Sequence, residues 1–126
     1  MIYLIDVNVL LAAIWKEHPQ HNQVDKWLPD KTLATCPISE LGFLRISTLM
    51  KGPFRAGMST ARQLLGGFLE MWEPQFVSDD LPALHSTPGT SDQVTDFYLA
   101  ELAGKNKMKL AALDSGIRHH AVEVIC

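Results

Sequence analysis

The sequence predicts an α/β domain in which helices cover both faces of a parallel sheet. Stretches with helical apolar spacing alternate with short strand-like runs along almost the whole chain, and this alternation is typical of a parallel sheet with right-handed crossovers. The first run, 2–5, is apolar with no polar face, as expected for a central strand covered on both sides. It leads directly into Asp6 and Asn8, two short polar residues where the strand must end.

Length and composition indicate one domain spanning residues 1–126. Apolar residues make up 47% and charged residues 20% of the chain, close to the average for globular domains. The net charge of −3 argues against a general nucleic-acid binder, so any nucleic acid must be held by a local basic region. Cys36 and Cys126 form no CxxC motif, and no signal peptide or membrane-length apolar run is present, so we expect a cytoplasmic protein.

Strands are predicted where short apolar runs end at a turn residue or an acid. Pro37 closes the second run, and the segment 81–90, with two prolines and a glycine, is predicted to be a loop. The predicted strands are 2–5, 32–36, 75–78, 108–113 and 122–125.

Helices are predicted where apolar residues recur at helical spacing between start and stop signals. Pro19 opens the second helix and Ser39 caps the third. Gly66 and Gly67 weaken the fourth, while Ser91 caps the fifth and Gly104 ends it. The predicted helices are 8–15, 20–28, 40–50, 59–72, 92–103 and 115–120. Leu41, Leu44, Ile46 and Leu49 are predicted to form the apolar stripe of the third helix.

Four acids stand out by their positions. Asp6 and Asp114 each end a predicted strand, Glu40 begins the helix after the second strand, and Asp96 lies early in the fifth helix. Two carboxylates about 4 Å apart repel by roughly 4 kcal/mol at an effective dielectric of about 20, and a divalent cation removes that penalty. The chain offers carboxylate oxygens but no set of His or Cys ligands, and such hard oxygen ligands suit Mg²⁺ or Mn²⁺. The residues therefore indicate metal-assisted hydrolysis of a phosphodiester.

The chain resembles the PIN-domain ribonucleases, and specifically the VapC-type toxins of toxin–antitoxin systems. The resemblance covers nearly the whole chain and is carried by LIDVNVLLA, ATCPISELGFLR, QVTDFYLAELA and KLAALDSGI, in that order. It implies a three-layer α/β/α PIN fold with a central parallel sheet of four to five strands. It also implies Mg²⁺- or Mn²⁺-dependent cleavage of RNA, and a homodimer neutralised by a VapB-like antitoxin whose tail enters the active-site groove.

The resemblance assigns Asp6, Glu40, Asp96 and Asp114 to the acidic site. As hypotheses, Asp6, Asp96 and Asp114 hold the metal, while Glu40 orients or deprotonates the attacking water. Arg45 is a further candidate, because from the groove wall it can reach a phosphate or an acidic group of the antitoxin.

Two departures from the family pattern bear on activity. Ala112 stands where the family often has Thr or Ser, and Ser115 where it often has Arg. Both substitutions leave the acids intact but affect the positioning of the metal or the phosphate. Activity is therefore expected to depend more on Asn8 as a hydrogen-bond donor that supports the metal ligands. Ala112 also keeps open a second function, that of a PIN-like binding module with weak catalysis in an antitoxin-containing repressor complex. A phosphatase is a third class, disfavoured because Asn8 replaces the second aspartate of a DxD motif.

Structural roles compete with the catalytic ones for several residues. Asp6 is also a plausible helix cap, and Glu40 a dipole partner in a first turn. Asp92 competes with Asp96 as the ligand. His18 and His21 are separated by Pro19 and share no clean helix face, which favours a place at a groove rim over a metal site.

Overall fold

The computed structural model describes residues 1–52, 54–113 and 116–125. Its five strands are all parallel and lie in the order β3-β2-β1-β4-β5, which confirms the predicted parallel sheet. β1 is central, between β2 and β4, so its carboxyl end lies at the middle of one sheet edge. The strands are β1 (Ile2–Ile5), β2 (Thr32–Thr35), β3 (Gln75–Phe76), β4 (Lys109–Ala112) and β5 (Val122–Val124).

Helices lie on both faces of this sheet and complete the three layers. Successive residues of β1 point to opposite faces: Leu4 packs with the buried residues of α5, and Ile5 packs with those of α1 and α3. No helix in the described ranges is long and apolar enough to span a membrane. The helices are α1 (Val7–Ile14), α2 (His21–Trp27), α3 (Pro37–Ser47), α4 (Met58–Trp72) and α5 (Val94–Lys105), with short 3-10 turns at Leu28–Asp30, Ala83–His85 and Ser91–Gln93.

The start of α3 differs from the prediction. The helix begins at Pro37 instead of residue 40, and Cys36 occupies the capping position. Proline suits the first helical position because its missing N–H has no partner there in any helix. Ser39 is therefore not the cap but lies inside the first turn, where its hydroxyl donates to the Ile5 carbonyl at 2.7 Å.

The predicted apolar stripe of α3 is confirmed only in part, because Leu44 and Ile46 pack against the core whereas Leu41 and Leu49 do not. Leu41 is 64% exposed and Leu49 is 43% exposed. The fully buried positions are Ser39, Gly42, Phe43 and Ser47, and the three small residues among them let α3 approach α1 closely. A Cβ added at Gly42 would lie 2.5 Å from Val7 Cγ2 and 3.4 Å from Val7 Cβ.

Of three further helix predictions, one is confirmed and two are wrong. α4 runs unbroken through Gly66 and Gly67 to Trp72, as predicted, and both glycines lie on its exposed face. α5 follows a 3-10 turn and continues past Gly104 to Lys105. Residues 116–120 form no helix, since His119 bonds to Glu101 and to the backbone of Ala121; Ser115, in the same predicted helix, lies outside the described residues.

The close approach at Gly42 gives a stability prediction. Although alanine favours helix by about 1 kcal/mol over glycine, we expect Gly42→Ala to destabilise the fold by about 1–3 kcal/mol because its Cβ overpacks against Val7. Gly66→Ala is the matched control and should stabilise by up to about 1 kcal/mol, since nothing lies within 4 Å of its added Cβ. Denaturant unfolding measures both variants, and equal stabilisation by the two would refute the packing argument.

Candidate active site

Asp6 lies at the point where the central strand ends and α1 begins. Its Oδ1 accepts a hydrogen bond from the Val9 amide at 2.8 Å, and the residue is only 2% exposed. Its own N–H donates to the Ala111 carbonyl of β4 at 3.3 Å. Asp6 is therefore a helix cap, as one interpretation of the sequence predicts, and its carboxylate is held in a defined orientation at the sheet edge.

Glu40 lies in the first turn of α3, directly after β2. Its Oε2 accepts a hydrogen bond from the Thr35 hydroxyl at 2.8 Å. Thr35 is the last residue of β2 and is 1% exposed, whereas Glu40 is only half-buried. The buried hydroxyl thus fixes a carboxylate that solvent can still reach.

Asp96 occupies the first turn of α5 and is half-buried, while Asp92 is exposed and bonds to the Thr90 hydroxyl. Thr95 lines a hollow of about 390 Å³ together with Val7 and Ile38. Val7, Ile38 and Thr95 lie in the first turns of α1, α3 and α5, so these three helix starts adjoin one another around the hollow. The positive ends of three helix dipoles meet there as well.

The fourth predicted acid, Asp114, lies outside the described residues, as does Ser115. Ala112, two positions earlier, is fully buried in β4. Within the described ranges no three His, Cys, Asp or Glu side chains form a ready metal site. The donor chemistry of Asp6 and Asp96 suits a hard cation such as Mg²⁺, which commonly binds one or two carboxylates and keeps several waters.

The remaining candidates line two different hollows. Asn8 is exposed and lines a hollow of about 310 Å³ with His18, Gln20 and Leu113. Arg45 is exposed and lines the 390 Å³ hollow beside Leu41 and Gly42. His18 therefore lies at a groove rim, as its position in the sequence suggested.

Sequence reasoning missed two residues that position the acids. Thr35 holds Glu40, and Ser39 joins α3 to the last residue of β1. The role of Thr35 could have been predicted from the sequence, because a hydroxyl at the end of a strand can face the first turn of the following helix. For Ser39 no local signal existed, because its partner Ile5 is 34 residues away.

A central parallel strand that ends in a buried carboxylate, with further acids at the adjoining helix starts, is the arrangement of a PIN domain. The PIN domain family model matches residues 3–123, and the chain belongs to that family. It is similar to ribonuclease VapC38 of Mycobacterium tuberculosis, with 34% identity over 90% of this chain and 86% of the relative. It is also similar to ribonuclease VapC29 of the same species, with 35% identity over 94% and 90%.

Two solved structures share the fold at low sequence identity. The crystal structure of VapBC2 from Rickettsia felis, bound to a promoter DNA fragment, aligns with a TM-score of 0.62 and 16% identity over 92% of this chain and 90% of that one. The structure of FitAB bound to a DNA fragment aligns with a TM-score of 0.63 and 18% identity over 95% and 99%. At this level of identity both comparisons establish the fold alone.

Proposed function

We propose that this chain is a VapC-type toxin, an endoribonuclease that hydrolyses RNA phosphodiester bonds with Mg²⁺ or Mn²⁺ and is inhibited by a VapB-like antitoxin. The main support is Asp6, a carboxylate buried to 2% exposure at the end of the central strand, with Glu40 and Asp96 in the first turns of α3 and α5. The similarity to proteins named ribonuclease VapC supports the same reaction class. The homodimer and the cytoplasmic location remain predictions.

Asp6, Asp96 and Asp114 would hold the cation. When bound, the cation withdraws charge from the phosphate and makes water a better nucleophile. Glu40, fixed by Thr35, orients the attacking water and takes its proton. The first turns of α1, α3 and α5 add backbone N–H groups and dipole ends that favour a phosphate near the carboxylates.

The antitoxin is proposed to occupy the 390 Å³ hollow. Its walls combine apolar side chains, including the largely exposed Leu41, with the exposed guanidinium of Arg45. Arg45 forms no ion pair with any described residue. A peptide that places an apolar side chain against Leu41 and a carboxylate on Arg45 suits this surface.

Asp6→Asn tests the proposed chemistry. Asparagine caps helices about as well as aspartate, so the fold should persist while the anionic charge is lost. We expect RNA cleavage to fall more than 100-fold, beyond the roughly 10–100-fold typical of losing an outer partner of a metal ligand, and Mn²⁺ to stop raising the unfolding midpoint.

Asp80→Asn is the matched control, because Asp80 is exposed and its one ion pair with a described residue is to Lys105; it should cleave like the wild-type protein. Full cleavage by Asp6→Asn would refute the proposed site. A wild-type protein that binds antitoxin but cleaves no RNA would instead indicate the binding module that Ala112 keeps open.

Thr35→Val tests the positioning of Glu40. Valine keeps the shape of the side chain and its preference for strands, but removes the hydroxyl that donates to Glu40. We expect kcat to fall about 10-fold with little change in KM, and Thr35→Ser to restore most of the loss. Equal kcat for the valine and serine variants would show that this hydrogen bond has no catalytic role.

Arg45→Ala tests the antitoxin surface. We expect the Kd for the antitoxin to rise about 10-fold, equivalent to about 1.4 kcal/mol, measured by isothermal titration calorimetry at fixed salt. Lys26→Ala removes an exposed cation from the last turn of α2 and should leave the Kd unchanged. Unchanged binding in Arg45→Ala would place the antitoxin elsewhere.

A further inference from the structure

The second hollow beside Asp6 has a chemistry different from the first. It measures about 310 Å³, and its lining is mostly polar, from Asn8, His18 and Gln20, with Leu113 as an apolar wall. Asn8 lies two residues after Asp6, and Leu113 follows β4. A molecule in this hollow therefore lies next to the candidate active site.

The hydrogen bonds of His18 define its protonation. Its Nδ1 accepts from the Gln20 amide at 3.0 Å, so the proton of the neutral ring lies on Nε2. Burial lowers the pKa of the imidazole, and the charge of His21 lowers this pKa further, which favours the neutral ring at pH 7.

The Nε2–H group of His18 is available to a ligand. It bonds to none of the described residues, and no buried side-chain nitrogen or oxygen among them lacks a partner. Nε2 must therefore be reachable from outside. His18 thus presents one N–H donor whose orientation the Nδ1 bond helps to hold.

The imidazole ring of His18 also packs against an aromatic side chain. It stacks on Phe54 with a centroid separation of 5.4 Å, and Phe54 stacks on Trp15 at 5.7 Å. Trp15 is anchored in turn by its indole N–H, which donates to the Ser47 hydroxyl of α3 at 2.9 Å. This stack and the Nδ1 hydrogen bond both favour the observed orientation of the imidazole, and such preorganisation lowers the cost of binding.

The lining of the hollow distinguishes between possible ligands. Among the described residues its lining contains no lysine or arginine, which disfavours a phosphate, and no carboxylate, which disfavours a cation. One oriented N–H donor, two carboxamides and an apolar wall match the uncharged polar edge and the flat face of a nucleobase.

On these grounds, and resting on the proposed ribonuclease function, we infer that this hollow binds one base of the RNA next to the scissile phosphate. His18 Nε2–H and the carboxamides of Asn8 and Gln20 read the edge of that base, so His18 is a specificity-determining residue. Phe54 is a positioning residue that acts through His18.

The experiment compares cleavage of RNA oligonucleotides that differ only at the nucleotides on either side of the cut. We expect the wild-type protein to prefer one base at one of these positions, and His18→Ala to reduce the preference in kcat/KM about 10-fold. Gln20→Ala removes one carboxamide without touching the aromatic stack and should reduce the preference about 3-fold. His85→Ala, an exposed histidine outside the hollow, is the control and should keep the wild-type pattern.

Each outcome separates this inference from the proposed function. A wild-type protein without cleavage refutes the proposed function itself. Cleavage that Asp6→Asn abolishes, combined with an unchanged base preference in His18→Ala, refutes only the base site. If His18→Ala does not fold, as judged by circular dichroism, an unchanged preference in Gln20→Ala refutes it. A loss of antitoxin inhibition in His18→Ala, without a change in base preference, assigns the hollow to the antitoxin and overturns the inference.

Discussion

The structure depends above all on the carboxylate of Asp6 at the end of β1. A carboxylate with 2% exposure is costly to desolvate unless hydrogen bonds or opposite charge offset the cost. Here one oxygen accepts the Val9 amide, so the group begins α1 as well as ending the strand. Because β1 lies between β2 and β4, the same group marks the middle of the sheet edge where parallel α/β domains bind their ligands.

The packing of α3 on α1 determines how Glu40 lies relative to that carboxylate. Gly42 permits close approach to Val7, the Ser39 hydroxyl bonds to the Ile5 carbonyl, and Ser47 accepts from Trp15. All three small residues are buried. A bulkier residue at any of them would push α3 outward and move Glu40 with it, so polar and packing contacts along one helix together define the candidate site.

The two hollows near the acids differ in the chemistry of their linings. On the α3 side, apolar side chains and the exposed Arg45 form a surface suited to a peptide with an acidic group. On the α2 side, neutral polar groups form a hollow suited to a base. Because the chain has a net charge of −3, the proposed RNA substrate would need a local basic region, and exposed cations lie between Arg45 and Arg62, near α3 and α4.

The sequence by itself determined the fold class, the five strand runs and the position of Asp6. A short apolar run predicts a buried strand, and the acid that follows it marks the carboxyl end of that strand. It also indicated Glu40 and Asp96 by their places at helix starts. Only the tertiary structure decided which face of α3 is buried, that Thr35 holds Glu40, and that Phe54 stacks on His18. Periodicity describes how one helix alternates between solvent and core. It contains no information on how closely two helices approach. The distance between α3 and α1 determines which residues of α3 are buried and which residues far apart in the chain come into contact.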